Sequence, residues 1–176
     1  MQPFGKFVSM IRIQPDSPTN ADVRLLLDEH LADMFATSPA DSVHALDHSA
    51  LSAPEISFWT AREDGALLGC GALKRLTATQ AEIKSMRTTA TARGRGVAAL
   101  LLARILADAR ERNLERLYLE TGTEEFFAPA HRLYARHGFT VCPPFADYVL
   151  DPHSVFMTLA LAPGSAPEPQ HRPDQS

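Results

Sequence analysis

Residues Ala81 to Asp108 read AEIKSMRTTATARGRGVAALLLARILAD, and the change of character halfway along decides the fold. Up to Thr89 the stretch has the look of a strand that ends in small polar residues. From Gly96 it carries one apolar face at helical spacing. Between the two lies Arg93-Gly94-Arg95-Gly96, a flexible and cationic turn. A glycine-bearing turn that feeds a helix start leaves several backbone N–H groups unpaired, and the helix dipole adds partial positive charge there. The stretch is therefore expected to bind a phosphate-bearing ligand.

The totals bound the rest. With 176 residues, 45% of them apolar, the chain suffices for one domain with a sizeable core. That domain is placed at residues 10–161, with 1–9 as an N-terminal extension and 162–176, ending PGSAPEPQHRPDQS, as a disordered Pro-rich tail. Met10 offers an alternative start. A net charge of −4 gives no general basic field, so no nucleic-acid partner is expected. No apolar run approaches the ~20 residues of a spanning helix, so no membrane partner is expected either. MQPFGKFVSM lacks the apolar core and small-residue cleavage site of a leader. Cys70 and Cys142 lie far apart in apolar surroundings, without metal-ligand spacing, and read as buried free thiols in a reducing cytoplasm.

Outward from the opening stretch, Met10–Gln14 alternates as a short strand. Val23, Leu26, Leu27, His30, Leu31 and Met34 then have helical spacing, and 38–54 is irregular. Ile56–Arg62 and Leu67–Leu76 read as strands joined through Glu63-Asp64-Gly65, with Gly69 and Gly71 marking a bulge or a close backbone approach. In the strand 81–88, strict alternation would put Glu82, Lys84, Met86 and Thr88 on one face and Ile83, Ser85 and Arg87 on the other. The next helix would bury Val97, Leu100, Leu101, Ile105 and Ala109, would solvate Arg104, Asp108 and Glu111, and would stop at Asn113. A strand at 116–120, a helix from Pro129 to Gly138, and strands at 139–142 and 154–161 complete the chain. The order β-α-β-β-β-α-β-α-β-β predicts an α/β (α+β) mixed sheet.

Three motifs, in this order and at this spacing, resemble the GNAT superfamily of acyl-CoA-dependent N-acetyltransferases over about residues 10–161. Arg93-Gly94-Arg95-Gly96-Val97-Ala98 matches the pattern Gln/Arg-x-x-Gly-x-Gly/Ala, and alignment on Gly94 and Gly96 would put Thr91 in the first position. AEIKSM precedes it, and Leu133-Tyr134-x-x-x-Gly138-Phe139 matches LYxxxGF. The text LETG…PAxxLYxxxGF…CxPFxxY…DPxSVFM is similar to a bacterial small-molecule acetyltransferase subgroup. The resemblance implies a mostly antiparallel twisted sheet of about six to seven strands flanked by helices, with a splayed strand pair that binds acyl-CoA. One departure stands out: seven residues before the motif tyrosine, where many relatives have asparagine, this chain has Phe127.

The resemblance implies an acetyl-CoA-dependent N-acetyltransferase in which a primary amine of a small molecule or amino acid attacks directly in a ternary complex. Arg93, Gly94, Arg95, Gly96, Val97 and Ala98 would hold the pyrophosphate, and Met86, Arg87 and Thr88 the pantetheine and the oxyanion. Tyr134 is assigned as acid to the thiolate; read from its apolar face alone it is equally a packed core tyrosine. Glu82 is assigned as base, directly or through water, with a pair to Lys84 as the structural alternative. His44, His48, Glu120 and Tyr148 would line the acceptor pocket. His44, Asp47 and His48 also resemble a metal set, but at spacings that argue against one, and no metal is expected. Homodimers occur in similar proteins, so a homodimer is allowed.

Two other readings compete. Gly94-x-Gly96-x-x-Ala99, with Glu120 after it, fits a dinucleotide fingerprint, but Thr89–Arg93 intervene where that motif needs a tight turn. A non-catalytic acyl-CoA-binding sensor on the same fold is the alternative within the resemblance.

Overall fold

A computed structural model describes residues 9–162; the expected N-terminal extension and Pro-rich tail lie, but for Ser9 and Ala162, outside the described residues. The elements in order are β1 (Arg12–Pro15), α1 (Ala21–Thr37), β2 (Ile56–Glu63), β3 (Ala66–Arg75), β4 (Gln80–Thr88), α2 (Val97–Glu111), β5 (Arg116–Gly122), α3 (Ala128–Arg136), β6 (Thr140–Val141) and β7 (Ser154–Ala160). The expected order of strands and helices is met. Single 3-10 turns at Ala40–Ser42, Ala50–Ser52, Ala90–Ala92 and Glu125–Phe127 punctuate the connections.

All seven strands form one sheet in the order β1-β2-β3-β4-β5-β7-β6. Every neighbouring pair is antiparallel except β4 and β5, which are parallel and are bridged by α2. The sheet buries both faces. One cluster, including Trp59, Leu73, Ile83, Leu117 and Leu119, packs on α2 and α3 through Leu101, Ile105, Leu133 and Tyr134. On the opposite face Phe58, Cys70 and Ala72 pack on Val23, Leu26 and Leu27 of α1 and on Leu51. Toward β5 and β7 that second face is covered by a loop instead of a helix. There Phe145 stacks on Tyr118 with ring centroids 4.6 Å apart and meets Tyr148 and Phe156 edge-on.

The alternation expected along β4 fails at Ser85. Ala72 pairs with Lys84 and Cys70 with Arg87, so Ser85 and Met86 together oppose Gly71 alone. Ser85 sits at φ +55°, and the extra residue turns the remainder of the strand over. Glu82, Lys84 and Arg87 consequently share the α1 face, and Met86 joins Ile83 on the α2 face. The two strand glycines make this possible. A Cβ on Gly71 would lie 2.6 Å from the Met86 sulfur, and one on Gly69 would lie 2.7 Å from the Arg87 carbonyl oxygen.

Three smaller expectations are also corrected. On α2, Leu100 is exposed while Leu102 and Leu106 are buried, because the arc facing the sheet runs from Val97 through Ile105 to Leu106. Asp108 is buried, gripped by Arg112 at 2.7 Å and flanked by Arg104 one turn earlier. Cys142 is half-buried, since it lies just past β6, which is only two residues long. Asn113 does take the left-handed conformation that stops α2.

Gly69→Ala should destabilise the fold by about 1–3 kcal/mol, since its methyl must displace backbone and also meets Val97 and Leu101. Denaturant unfolding checks this; wild-type stability would mean that β3 and β4 are not held so closely.

Candidate active site

Strand β4 runs to Thr88 and β5 to Gly122, but they pair only as far as Ile83 with Leu119. Beyond that point the strands part, and the β5-facing edge of Lys84–Thr88 has no strand partner among the described residues. The parted ends lead into two adjoining cavities. A cleft of about 640 Å³ runs along Met86–Thr88 to the turn before α2, and a smaller pocket of about 90 Å³ lies at the fork. His30, Met86, Phe127, Ala130 and Tyr134 border both, so the two are continuous.

The turn at the outer end of the cleft has the form expected of an anion cradle. Gly94 and Gly96 lie at φ +75° and +77°, conformations that L side chains rarely adopt, and a Cβ at either would meet nothing within 4 Å. The open face is therefore free to receive a ligand. Helix α2 begins without a side-chain cap and without an acidic residue in its first turn, which leaves its N–H donors available. Arg93 and Arg136 add guanidinium groups to the same cleft. This donor set fits a diphosphate. Met86, Arg87, Thr88, Arg93, Gly94, Gly96, Val97 and Ala98 all line the cleft. Arg95 does not, because it forks onto Glu63 at 2.8 and 2.9 Å. Arg136, on the turn of α3 after Tyr134, was missed by the sequence motifs.

The small pocket gathers charge. Glu82 is 3% exposed, and its Oε1 accepts the Tyr148 hydroxyl at 2.6 Å and the Lys84 ammonium at 3.0 Å. Lys84 also donates to the Tyr148 hydroxyl oxygen at 3.0 Å, closing a triangle. Burial together with the Glu82 charge holds the Tyr148 phenol far above its ordinary value, so it remains a donor. Glu120, the first β5 residue past the paired segment, faces the same pocket, and its Oε1 accepts from Ser154 at 2.8 Å. Burial raises the Glu120 carboxyl above the usual range, with Ser154 opposing. His44 also lines the pocket and meets the Tyr148 ring edge-on at 5.1 Å.

The structure thus joins Glu82, Glu120, His44 and Tyr148, which lie far apart in sequence. His48 instead pairs with Asp28 of α1 at 2.8 Å, and Asp47 accepts from Ser49 and Ala50, so the His44, Asp47 and His48 group is dispersed. Among the described residues no three His, Cys, Asp or Glu side chains gather to hold a metal.

Tyr134 is 4% exposed, packs on Phe139, and borders both cavities; burial alone pushes its phenol far upward. Phe127 stands as a wall of both cavities. Its ring lies against Gly122, where a Cβ would collide with it. His30 also went unrecognised, since on α1 it reads as one more member of a helical stripe. It borders both cavities, and burial pushes its imidazole down to about 4, aided by Arg87 and opposed by Asp33. Arg87 itself is anchored to α1 by Asp33 at 2.6 Å. Cys70 is fully buried, donates to the Ser85 carbonyl at 3.4 Å, and is pushed up to about 12 by burial.

A family model described as the acetyltransferase (GNAT) family matches residues 23–139. The chain is 49% identical over 151 residues to the uncharacterized N-acetyltransferase YsnE of Bacillus subtilis, covering 86% of this chain and 100% of that one. It is 47% identical over 152 residues to the uncharacterized N-acetyltransferase YedL of Escherichia coli, covering 86% and 96%. An acyl-CoA N-acyltransferase structure from Klebsiella pneumoniae aligns with a TM-score of 0.72 at 30% identity, over 87% of this chain and 99% of that one. The fold is shared, at 16% identity and a TM-score of 0.64, by a Bacillus subtilis acetyltransferase in complex with CoA, over 87% and 100% of the two chains.

His30 gives a pH prediction. Its folded value lies below the ordinary 6.5, so the neutral ring stabilises the fold fully above pH 6.5, and that contribution is lost as pH falls toward 4. His30→Gln should therefore lose less stability than wild type between pH 7 and pH 5 in urea unfolding. Parallel losses would show that His30 titrates normally.

Proposed function

Since the chain belongs to the acetyltransferase (GNAT) family, we propose that it moves acetyl from acetyl-CoA to a primary amine of a small molecule or amino acid by direct attack in a ternary complex. Acetyl transfer is the chemistry of this family, and acetyl-CoA is its donor. The relatives' acetyltransferase names favour an enzyme over a binding-only module. The observation that carries the mechanism is the fork between β4 and β5, which leads from a diphosphate cradle to a pocket of ionisable groups.

Arg93, Arg136 and the N–H groups opening α2 would hold the diphosphate. The unpaired edge of Met86–Thr88 would hydrogen-bond the pantetheine arm, and a backbone N–H near the Ser85 bulge would receive the oxyanion. When bound, acetyl-CoA supplies a thioester carbonyl for the amine to attack. Positioning of this kind lowers barriers by on the order of 7–11 kcal/mol at its limit, and one oxyanion donor is worth about 10²–10³ in rate.

Glu82 would take the proton lost by the amine, directly or through water, with Tyr148 and Lys84 fixing its carboxylate. Tyr134, kept protonated by burial, would donate to the sulfur as the carbon–sulfur bond breaks. Glu120 and His44 would contact the acceptor. Direct attack is supported by the thiols: Cys70 is held protonated in the core, and neither Cys70 nor Cys142 borders the cavities. Two free thiols also suit a reducing cytoplasm.

Initial rates with donor and acceptor varied together should give intersecting patterns; parallel lines would demand an acetylated enzyme. Tyr134→Phe should bind acetyl-CoA as wild type does in calorimetry while turnover falls about tenfold or more. Unchanged turnover removes Tyr134 from the chemistry. Glu82→Gln should abolish the acidic limb of the pH–rate profile, and a retained limb would move the base elsewhere.

A further inference from the structure

In the small pocket the acetyl-transfer scheme uses Lys84 only to fix the Glu82 carboxylate. Lys84 lines that pocket with a side chain only 8% exposed. Burying an ammonium is costly unless partners compensate. Lys84 has two, Glu82 and Tyr148, but an ammonium carries three donors and no acceptor. The third donor has no partner among the described residues, on a side chain that borders a cavity. His44 supplies further ring nitrogens to the same pocket. Across the fork Glu120 presents the opposite charge, with its Oε1 engaged by Ser154.

The two prongs therefore ask for different things. The β5 prong offers a carboxylate, which suits an arriving ammonium. The β4 prong offers Lys84, paired with Glu82 but with one ammonium donor to spare, and that donor suits an anion. A diamine would bring its second charge against Lys84, and an apolar tail would leave that donor unpaired; both are costly in a desolvated site. A carboxylate would complete the Lys84 donor set and could also accept from His44. The pocket at the fork, about 90 Å³, admits only a compact group at this point.

Resting on the acetyltransferase reading above, we infer that the acceptor is an amino acid-like molecule, a primary amine that also bears a carboxylate, with its amine at Glu120 and its carboxylate at Lys84 and His44. Lys84 is then a specificity-determining residue, and Glu82 and Tyr148 hold it in place.

The test uses wild-type protein, acetyl-CoA, and a panel of L-amino acids and short ω-amino acids. Each is paired with its own carboxamide, and 3-aminopropanoate is also compared with propylamine and 1,3-diaminopropane. Free CoA release is followed at matched concentrations of unprotonated amine, and calorimetry measures CoA binding separately. At least one acid should exceed its carboxamide in kcat/KM by about tenfold or more, as expected for loss of a charge-assisted hydrogen bond. Lys84→Met should collapse that acid-to-amide ratio toward one, and Lys84→Arg should restore part of it. The ratio cancels any loss common to both acceptors, such as disturbance of Glu82. Carboxamides or diamines turned over as well as the acids would overturn the inference, and so would CoA binding with no carboxylated amine acetylated. Failure to bind CoA would remove the donor reading itself, and the inference with it.

Discussion

A strand that loses one of its two neighbours halfway along is the constraint from which the rest of the site follows. Up to Ile83, β4 is hydrogen-bonded on both sides; beyond it, only β3 remains. Unpaired backbone groups inside a protein are costly, so an edge of this kind persists where something else can bond to it. An extended ligand arm laid along Met86–Thr88 would meet that need, as β-strand addition does elsewhere. The Ser85 bulge accompanies the break and sends Arg87 to the α1 face, where Asp33 and Glu29 take its charge.

The bulge depends on what is missing opposite it. Gly71 leaves room for Met86, and Gly69 lets the Arg87 carbonyl approach β3. Gly122 plays the same part on the other prong, where Phe127 lies flat against its backbone. Three side-chain vacancies thus shape a cavity whose walls are Met86, Phe127 and Tyr134. Phe127 gives both cavities an apolar wall. Under the proposed function, contact with the donor at that point would rely on shape, and the polar work would fall to the strand edge and the turn before α2.

Burial sorts the ionisable groups by task. Tyr134 and Tyr148 are both held protonated, the first by desolvation alone and the second also by Glu82. Glu82 is buried with its Oε1 engaged by both Tyr148 and Lys84, whereas Glu120 has one hydrogen bond and a raised proton affinity. Two carboxylates on neighbouring strands thus sit in different environments, as the separate roles proposed for them require.

Read alone, the sequence determined the order of elements, the turn at Arg93–Gly96, the stop at Asn113 and the motif that positions Tyr134. Each depends on residues close in the chain: periodicity, glycines able to take positive φ, and short local spacings. What lay between distant segments was decided by tertiary structure alone. The bulge that reverses β4 is a register event between two strands, invisible in alternation. Arg95 looked identical to Arg93 until Glu63, 32 residues away, claimed it. His44 and His48 looked alike until one met Tyr148 and the other Asp28. His30 and Lys84 gained their settings only when α1 and the loop bearing Tyr148 closed over the forked sheet. Proton affinity and recognition are set by desolvation and by partners brought from afar, and neither is written in the neighbours along the chain.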